Sequence, residues 1–180
     1  EKNEKLGKKL YITGKGRCNV TNACDVEELF QHVVTNRKFL YSAFYGFTNQ
    51  DVMELLEKAG CPLKLERGNR VFPCSDKSSD VIKALSGILR GQDVEIVLRE
   101  GVKSLWVEDG ALKGIVLEKN GAKVPADAVI VATGGLSYPT TGSTGDGYEM
   151  AKHIGHTVTA LSPALVPFET KEEDAKELQG

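Results

Sequence analysis

The 180-residue sequence lacks several features that would place it in a familiar functional class. No apolar run approaches the roughly 20 residues needed to cross a bilayer, so we expect no membrane partner. Lys and Arg number 23 against 25 Asp and Glu, giving a formal net charge of −2. Nucleic-acid-binding surfaces are normally markedly basic. The charge balance therefore predicts that nucleic acid is not a partner.

Cysteine and histidine are scarce as well, with four and three residues respectively. No Cys-x-x-Cys pair occurs, and the spacing of these residues does not suit a zinc site, so we expect no bound metal. His153 and His156 lie three positions apart but lack a third ligand. Reduced thiols are the default in a cytoplasmic protein, which is the location that we predict. The cysteines are Cys18, Cys24, Cys61 and Cys74.

Glycine is plentiful, and one glycine-rich stretch runs from Leu10 to Asn22. Gly14 and Gly16 flank a lysine there, and Arg17 follows at once. A glycine has no Cβ, so another molecule can approach its backbone closely. Successive turn amides can also hold an anion. The loop suits a phosphate-bearing or electron-rich ligand, although the same residues are ordinary turn chemistry.

A second glycine-rich stretch follows a continuous apolar run at 128–132, which predicts a buried strand. Thr133-Gly134-Gly135 ends that strand, and glycines at 142, 145 and 147 precede a helix predicted over Tyr148 to Ile154. Ligands of open α/β sheets bind beyond the carboxyl ends of the strands. A plain strand–turn–helix connection is the alternative interpretation, but it does not explain two glycine clusters.

The remaining pattern alternates helices and strands. Helices are predicted over 26–34, 49–59 and 79–89, and a strand over 93–98. Asp109-Gly110 and Asn120-Gly121 are strong hairpin signals. Three strands separated by these turns predict an antiparallel β-meander over about 102–126, inserted into an α/β alternation.

Two distant stretches together resemble a family of bacterial two-dinucleotide-binding flavoproteins, the FAD-dependent, NAD(P)/FAD-type oxidoreductases. They are Gly7 to Leu10 with Thr13 to Asn22, and Ala132 to Gly147. The resemblance implies an α/β fold, a Rossmann-like FAD-binding domain of glutathione-reductase type with an antiparallel β-meander. Family members begin with a strand and a Gly-x-Gly-x-x-Gly box that this sequence lacks, so we expect a domain incomplete at both ends. Residues 1–162 would form this partial domain, and 163–180 would begin an inserted second domain or its linker.

The same resemblance implies a set of cofactor contacts. Glu1 would bind the adenosine ribose, and the backbone around Val102 would lie near the adenine. The Gly14–Asn19 loop would surround the phosphate–ribitol and flavin portion, and the second stretch would close the site. The expected cofactor-binding residues are Glu1, Lys9, Thr13, Gly14, Gly16, Arg17, Cys18, Asn19, Val102, Ala132, Thr133, Gly134, Gly135, Thr144, Gly145 and Asp146.

The sequence therefore predicts the flavin-binding portion of an FAD-dependent oxidoreductase. Hydride would pass through the flavin to or from a small-molecule substrate, with NAD(P)H as a candidate electron donor. No catalytic residue, substrate or oligomeric state is indicated. The alternative is a non-catalytic nucleotide- or flavin-binding module, or an inactive fragment. The charge balance weighs against a tRNA-modifying flavoprotein.

Overall fold

The computed structural model describes residues 1–163, which contain six α-helices and six β-strands. The predicted start of a second domain at 163–180 lies, apart from its first residue, outside the described residues. In chain order the elements are α1 Lys8–Ile12, β1 Thr21–Asn22, α2 Val26–Gln31, α3 Tyr41–Gly46, α4 Asn49–Lys58, β2 Leu63–Glu66, β3 Arg70–Pro73, α5 Ser78–Arg90, β4 Val102–Glu108, β5 Ala111–Leu117, β6 Lys123–Pro125 and α6 Asp146–His153. Short 3-10 turns occur at Thr13–Gly16, Arg37–Leu40 and Pro139–Thr141.

The first sheet has the order β1-β3-β2, and both of its pairings are antiparallel. The main core includes Leu56 of α4 and Val81 and Ala84 of α5, packed with the buried thiols of Cys18 and Cys61. Val81 and Ala84 lie on the same face of α5, because side chains three residues apart in a helix lie one above the other. This core holds the loop before β1 in place, since Cys18 belongs to that loop.

The second sheet is the predicted meander, with the order β4-β5-β6 and antiparallel pairing throughout. Asp109 and Gly110 form the first turn, and both have positive φ values, 51° and 73°. Type I′ hairpin turns require that geometry at both central residues. The local turn chemistry therefore selects the observed hairpin.

The two strands predicted at 93–98 and 128–132 are not formed. Both segments are largely exposed, and the side chain of Ile130 is 92% exposed. A parallel strand needs neighbours whose backbone groups complete its hydrogen bonds, and every pairing among residues 1–163 is antiparallel. The end of the first segment instead contacts the start of the chain, where Glu1 N donates to Val97 O and Arg99 N to Asn3 O, at 3.0 and 2.9 Å.

Candidate functional site

A cleft of about 470 Å³ lies between the first residues of the chain, α1, the start of β4 and the second glycine-rich stretch. It brings together residues that are far apart in the sequence. Seven of the predicted cofactor residues line it, namely Glu1, Lys9, Val102, Ala132, Thr133, Gly134 and Asp146. The contacts across this cleft show how the first residues of the chain are held against the second glycine-rich stretch.

Lys2 and Asp146 form an ion pair across the cleft, with 2.6 Å between Nζ and Oδ2. Lys2 Nζ also donates to Thr144 Oγ1, and that hydroxyl donates to Asp146 Oδ1 at 2.7 Å. The hydrogen bond from Lys2 is the main reason that the pKa of Asp146 lies below its ordinary value. Asp146 therefore stays ionised, and its charge is already balanced within the chain.

Asn3 and Lys9 also connect the N-terminal region to the second stretch. Asn3 Nδ2 donates to Glu1 Oε1 at 2.7 Å and to Thr141 O at 3.0 Å. Lys9 Nζ donates to Ser137 O at 2.9 Å and lies 4.7 Å from the centroid of the Tyr138 ring. A lysine ammonium over an aromatic face is attracted by the ring quadrupole. These contacts fix Glu1 and Lys9 at the rim of the cleft.

The two glycine clusters of the second stretch pack directly on each other. Gly145 N donates to Gly135 O at 3.1 Å. Gly134 has a φ of +76°, and a Cβ there would lie 2.9 Å from the hydroxyl oxygen of Ser143. Only a glycine tolerates both the left-handed backbone and this close approach. Gly134 is therefore required for the packing of the wall itself, before any ligand is considered.

The predicted loop residues from Thr13 to Asn19 do not line this cleft. A Cβ on Gly14, whose φ is +56°, would lie 2.9 Å from Asn19 N, so the loop itself requires glycine there. Gly16 has a φ of +84°, but the nearest atom to an added Cβ is Tyr11 O at 4.0 Å. Its outer side is therefore open to an approaching molecule. The polar groups of Thr13 and Asn19 stabilise the loop. Thr13 Oγ1 donates to Leu10 O at 2.7 Å. Asn19 Nδ2 donates to Val71 O at 3.2 Å in the amide orientation that satisfies both of its polar atoms.

The side chain of Arg17 lies along the surface and is 34% exposed, whereas that of Cys18 points into the protein. Arg17 forms ion pairs with Glu66 and Asp76 and lies 4.2 Å from the centroid of the Phe72 ring. The hydrogen bond to Glu66 is the main reason that the pKa of Arg17 is raised. The thiol of Cys18 is buried in the main core. A cofactor contact from Cys18 would have to come from its backbone, whereas the guanidinium of Arg17 is occupied by two carboxylates. The role of both residues stays a prediction.

Twelve residues that line the cleft lie outside the predicted set, among them Lys2, Asn3, Gly142 and Ser143. Gly142 and Ser143 lie inside the second resembling stretch, so the motif itself could have indicated them. Lys2 and Asn3 carry no such signal. No group of three or more Cys, His, Asp or Glu among residues 1–163 could hold a metal ion. No helix within that same range is long and apolar enough to span a bilayer.

The helices and small antiparallel sheets form a mixed α/β structure, which the family match below assigns to the Rossmann-type FAD-binding domains. Residues 1–178 match the family model described as HI0933-like protein Rossmann domain, and the chain belongs to that family. This confirms the predicted flavoprotein family and fold class.

The relatives of the chain are named as enzymes. This chain is 34% identical over 171 residues to the 3-dehydro-bile acid delta(4,6)-reductase of Clostridium scindens, and the match covers 95% of this chain and 40% of that protein. It is 31% identical over 176 residues to the ribosomal RNA dihydrouridine synthase of Escherichia coli, covering 98% of this chain and 42% of that protein. A flavocytochrome c3 fumarate reductase in an open conformation shares the fold, with a TM-score of 0.51 at 24% identity over 84% of this chain and 32% of that chain.

The prediction that nucleic acid is not a partner is wrong. Relatives from Escherichia coli and Haemophilus influenzae, 31% and 30% identical to this chain, are named for ribosomal RNA. Net charge sums the whole sequence, whereas binding depends on how charge is distributed over a local surface. The chain also spans only about two fifths of the length of these relatives. A balanced total over this portion therefore excludes nothing about nucleic acid.

Proposed function

We propose that the full-length protein containing this chain is an FAD-dependent oxidoreductase, and that the cleft forms part of its FAD site. The observation that carries the proposal is the convergence of Glu1, Lys9, Val102 and Gly134 on one cleft from three distant parts of the sequence. Bound flavin would supply the hydride chemistry, and the protein would bind and orient it.

The groups in the cleft fit the chemistry of a dinucleotide. Lys8 and Lys9 line one wall, and although Lys8 pairs with Glu4 at 2.9 Å, two lysines there suit a pyrophosphate. The carboxylate of Glu1 can accept hydrogen bonds from ribose hydroxyls, the role that an acidic residue has in dinucleotide-binding folds. Gly134 brings backbone to the wall of the cleft, where Ser143 fills the space that a Cβ would take.

The open side of Gly16 is the best candidate within the first loop for contact with the flavin portion. We propose that NAD(P)H supplies the electrons and that a small-molecule substrate receives them. The relatives named as a bile acid reductase and as dihydrouridine synthases support reduction of the substrate as the direction of the reaction. A cytoplasmic location stays a prediction.

The test uses the full-length protein. Heat denaturation should release FAD into the supernatant, identified by chromatography against FAD and FMN standards. Anaerobic addition of NADPH or NADH to the native holoprotein should bleach the flavin absorbance. A preparation that neither releases FAD nor takes it up on reconstitution would overturn the proposal. Bound FAD that NAD(P)H and dithionite cannot reduce would favour the non-catalytic module instead.

A further inference from the structure

Asn3 lines the cleft, and its hydrogen bonds go to three different parts of the wall. Its Nδ2 donates to Glu1 Oε1 at 2.7 Å, and its backbone N donates to the same oxygen at 2.8 Å. Nδ2 also donates to Thr141 O at 3.0 Å, and Oδ1 accepts from Lys8 Nζ at 3.4 Å. Both polar atoms of the Asn3 side chain are therefore occupied by the protein itself.

The two bonds to Glu1 hold one oxygen of its carboxylate and leave the other for a ligand. Both bonds go to Oε1, whereas Oε2 accepts no hydrogen bond from residues 1–163. A glutamate side chain is flexible, and restricting it to one conformation costs free energy that binding would otherwise have to supply. Asn3 imposes that conformation before a ligand arrives, so a hydroxyl group meets an acceptor that is already in place.

The backbone of the same two residues is held by the segment that precedes β4. Glu100 N donates to Glu1 O at 3.1 Å, and Arg99 N donates to Asn3 O at 2.9 Å. Val102, two residues after Glu100, lines the same cleft. Asn3 is the one side chain of the described part of the chain that donates to the Glu1 carboxylate. The direction of that carboxylate therefore depends on Asn3.

Gly142 leaves the space that the Asn3 amide occupies. It has a φ of +99°, and a Cβ there would lie 2.7 Å from Asn3 Nδ2. Glycine has no Cβ, and any larger residue at this position would have to displace the amide. The second glycine-rich stretch therefore reaches Glu1 through Asn3.

We propose that Asn3 is a positioning residue for the adenosine end of the cofactor, orienting Glu1 so that Oε2 accepts from a ribose hydroxyl. The inference rests on the proposed FAD site, in which Glu1 binds the ribose. It adds that Asn3 and Gly142, acting through Glu1, set how strongly the site distinguishes a ribose from a 2′-deoxyribose. An asparagine that only tied the start of the chain to Thr141 would have no effect on this discrimination.

The test compares FAD with an FAD analogue whose adenosine carries hydrogen in place of the 2′-hydroxyl. Each is titrated by calorimetry into the full-length protein stripped of its flavin. The wild type should bind FAD about tenfold more tightly than the analogue, as expected for one hydrogen bond to a charged group. Asn3→Leu nearly keeps the side-chain shape and removes the donor. It should bind FAD about tenfold more weakly and distinguish the two ligands by no more than about twofold.

Gly142→Ala should have the same effect by displacing the amide, and each variant has a matched control. Asn120→Leu removes an amide from the turn between β5 and β6, where Asn120 Oδ1 accepts from Ala122 N at 3.0 Å, outside the cleft. Gly155→Ala reproduces the backbone strain, since Gly155 has a φ of +93° and no atom of the described residues lies within 4 Å of an added Cβ. Both controls should keep the discrimination of the wild type.

Thermal midpoints are recorded for every variant, so a folding defect in one test variant leaves the other to decide. The inference is overturned if the wild type binds FAD but does not distinguish it from the analogue. It is also overturned if the test variants distinguish the two ligands as well as the wild type does, or if the controls lose the discrimination to the same extent. A wild-type protein that binds neither ligand would instead count against the proposed function.

Discussion

Lys2 and Asp146 are joined by an ion pair across 144 sequence positions, with 2.6 Å between Nζ and Oδ2. Both side chains are 31% exposed, so the pair is only partly screened by solvent. Thr144 completes a triangle of hydrogen bonds with them. This contact fixes the start of the chain against the start of α6, and both line the cleft.

Breaking that pair should change the acid stability of the protein. In the folded protein the pKa of Asp146 lies below its ordinary value of 3.8, chiefly because Lys2 donates a hydrogen bond to it. A carboxylate whose pKa is lower in the folded than in the unfolded state stabilises the fold at any pH above its unfolded pKa. This contribution is lost as the pH falls from about 3.8 towards the pKa of the folded state. Asp146→Asn should cost about 1 kcal/mol at neutral pH and reduce the fall in stability below that pH.

Urea denaturation of the full-length protein at several pH values measures this effect. Glu149→Gln is the control, because Glu149 pairs with Lys152 on the same helix but is largely exposed. Equal loss of stability in both variants, with the same pH dependence, would contradict a special role for the Lys2–Asp146 pair.

Gly16→Ala should weaken FAD binding by roughly tenfold to a hundredfold, because an added Cβ combines a strained backbone with a steric block on the open side of the loop. Gly60→Ala separates these two effects, since Gly60 has a φ of +80°, close to the +84° of Gly16, and no atom within 4 Å of an added Cβ. Fluorescence titration with FAD and thermal denaturation are measured for both. A similar FAD affinity in the two variants would show that the loop does not contact the cofactor.

Gly134→Ala should destabilise the protein and Ser143→Ala should partly rescue it. The added Cβ would lie 2.9 Å from Ser143 Oγ but 3.6 Å from Ser143 Cβ, so removing the hydroxyl relieves the clash and leaves only the backbone strain. A double-mutant cycle from thermal denaturation should therefore give a favourable coupling of about 0.5 kcal/mol or more. Strict additivity would mean that the two glycine clusters do not pack as the structure shows.

Arg17→Met distinguishes a structural arginine from a cofactor ligand. The variant keeps an apolar stem over Phe72 and loses the ion pairs with Glu66 and Asp76. We expect a lower thermal midpoint, with FAD affinity changed by no more than about threefold. Lys64→Met is the control because Lys64 pairs with the same two carboxylates. A tenfold loss of FAD affinity specific to Arg17→Met would place its guanidinium at the cofactor.

Local chemistry explains which parts of the fold the sequence could predict. Asp109-Gly110 encodes its own hairpin, and the helix predicted from Asn49 does begin there. Its cap is Thr48, whose side chain accepts from Asp51 N while the Asp51 carboxylate accepts from Thr48 N. Such capping boxes join residues only three positions apart, so they can be recognised in a sequence.

Distant partners explain the rest. An apolar run such as 128–132 predicts a strand, but a ladder forms only when another strand lies beside it. The second glycine-rich stretch indicated the cleft, but the first loop does not line it. The directions of the Arg17 and Cys18 side chains follow from tertiary contacts with Glu66 and Leu56. The pairing of Lys2 with Asp146 has no local signal at all. Side-chain direction was therefore the least predictable part of the site.

The exposed segments at 93–98 and 128–132 have a practical consequence for handling the chain by itself. Val94, Val97 and Ile130 present apolar side chains to water on backbone that belongs to neither sheet. Unpaired extended backbone with apolar side chains is a template for strands from other molecules. We therefore expect the isolated 180-residue chain to self-associate as its concentration rises, so light scattering should guide the choice of buffer before any spectroscopy on it is interpreted.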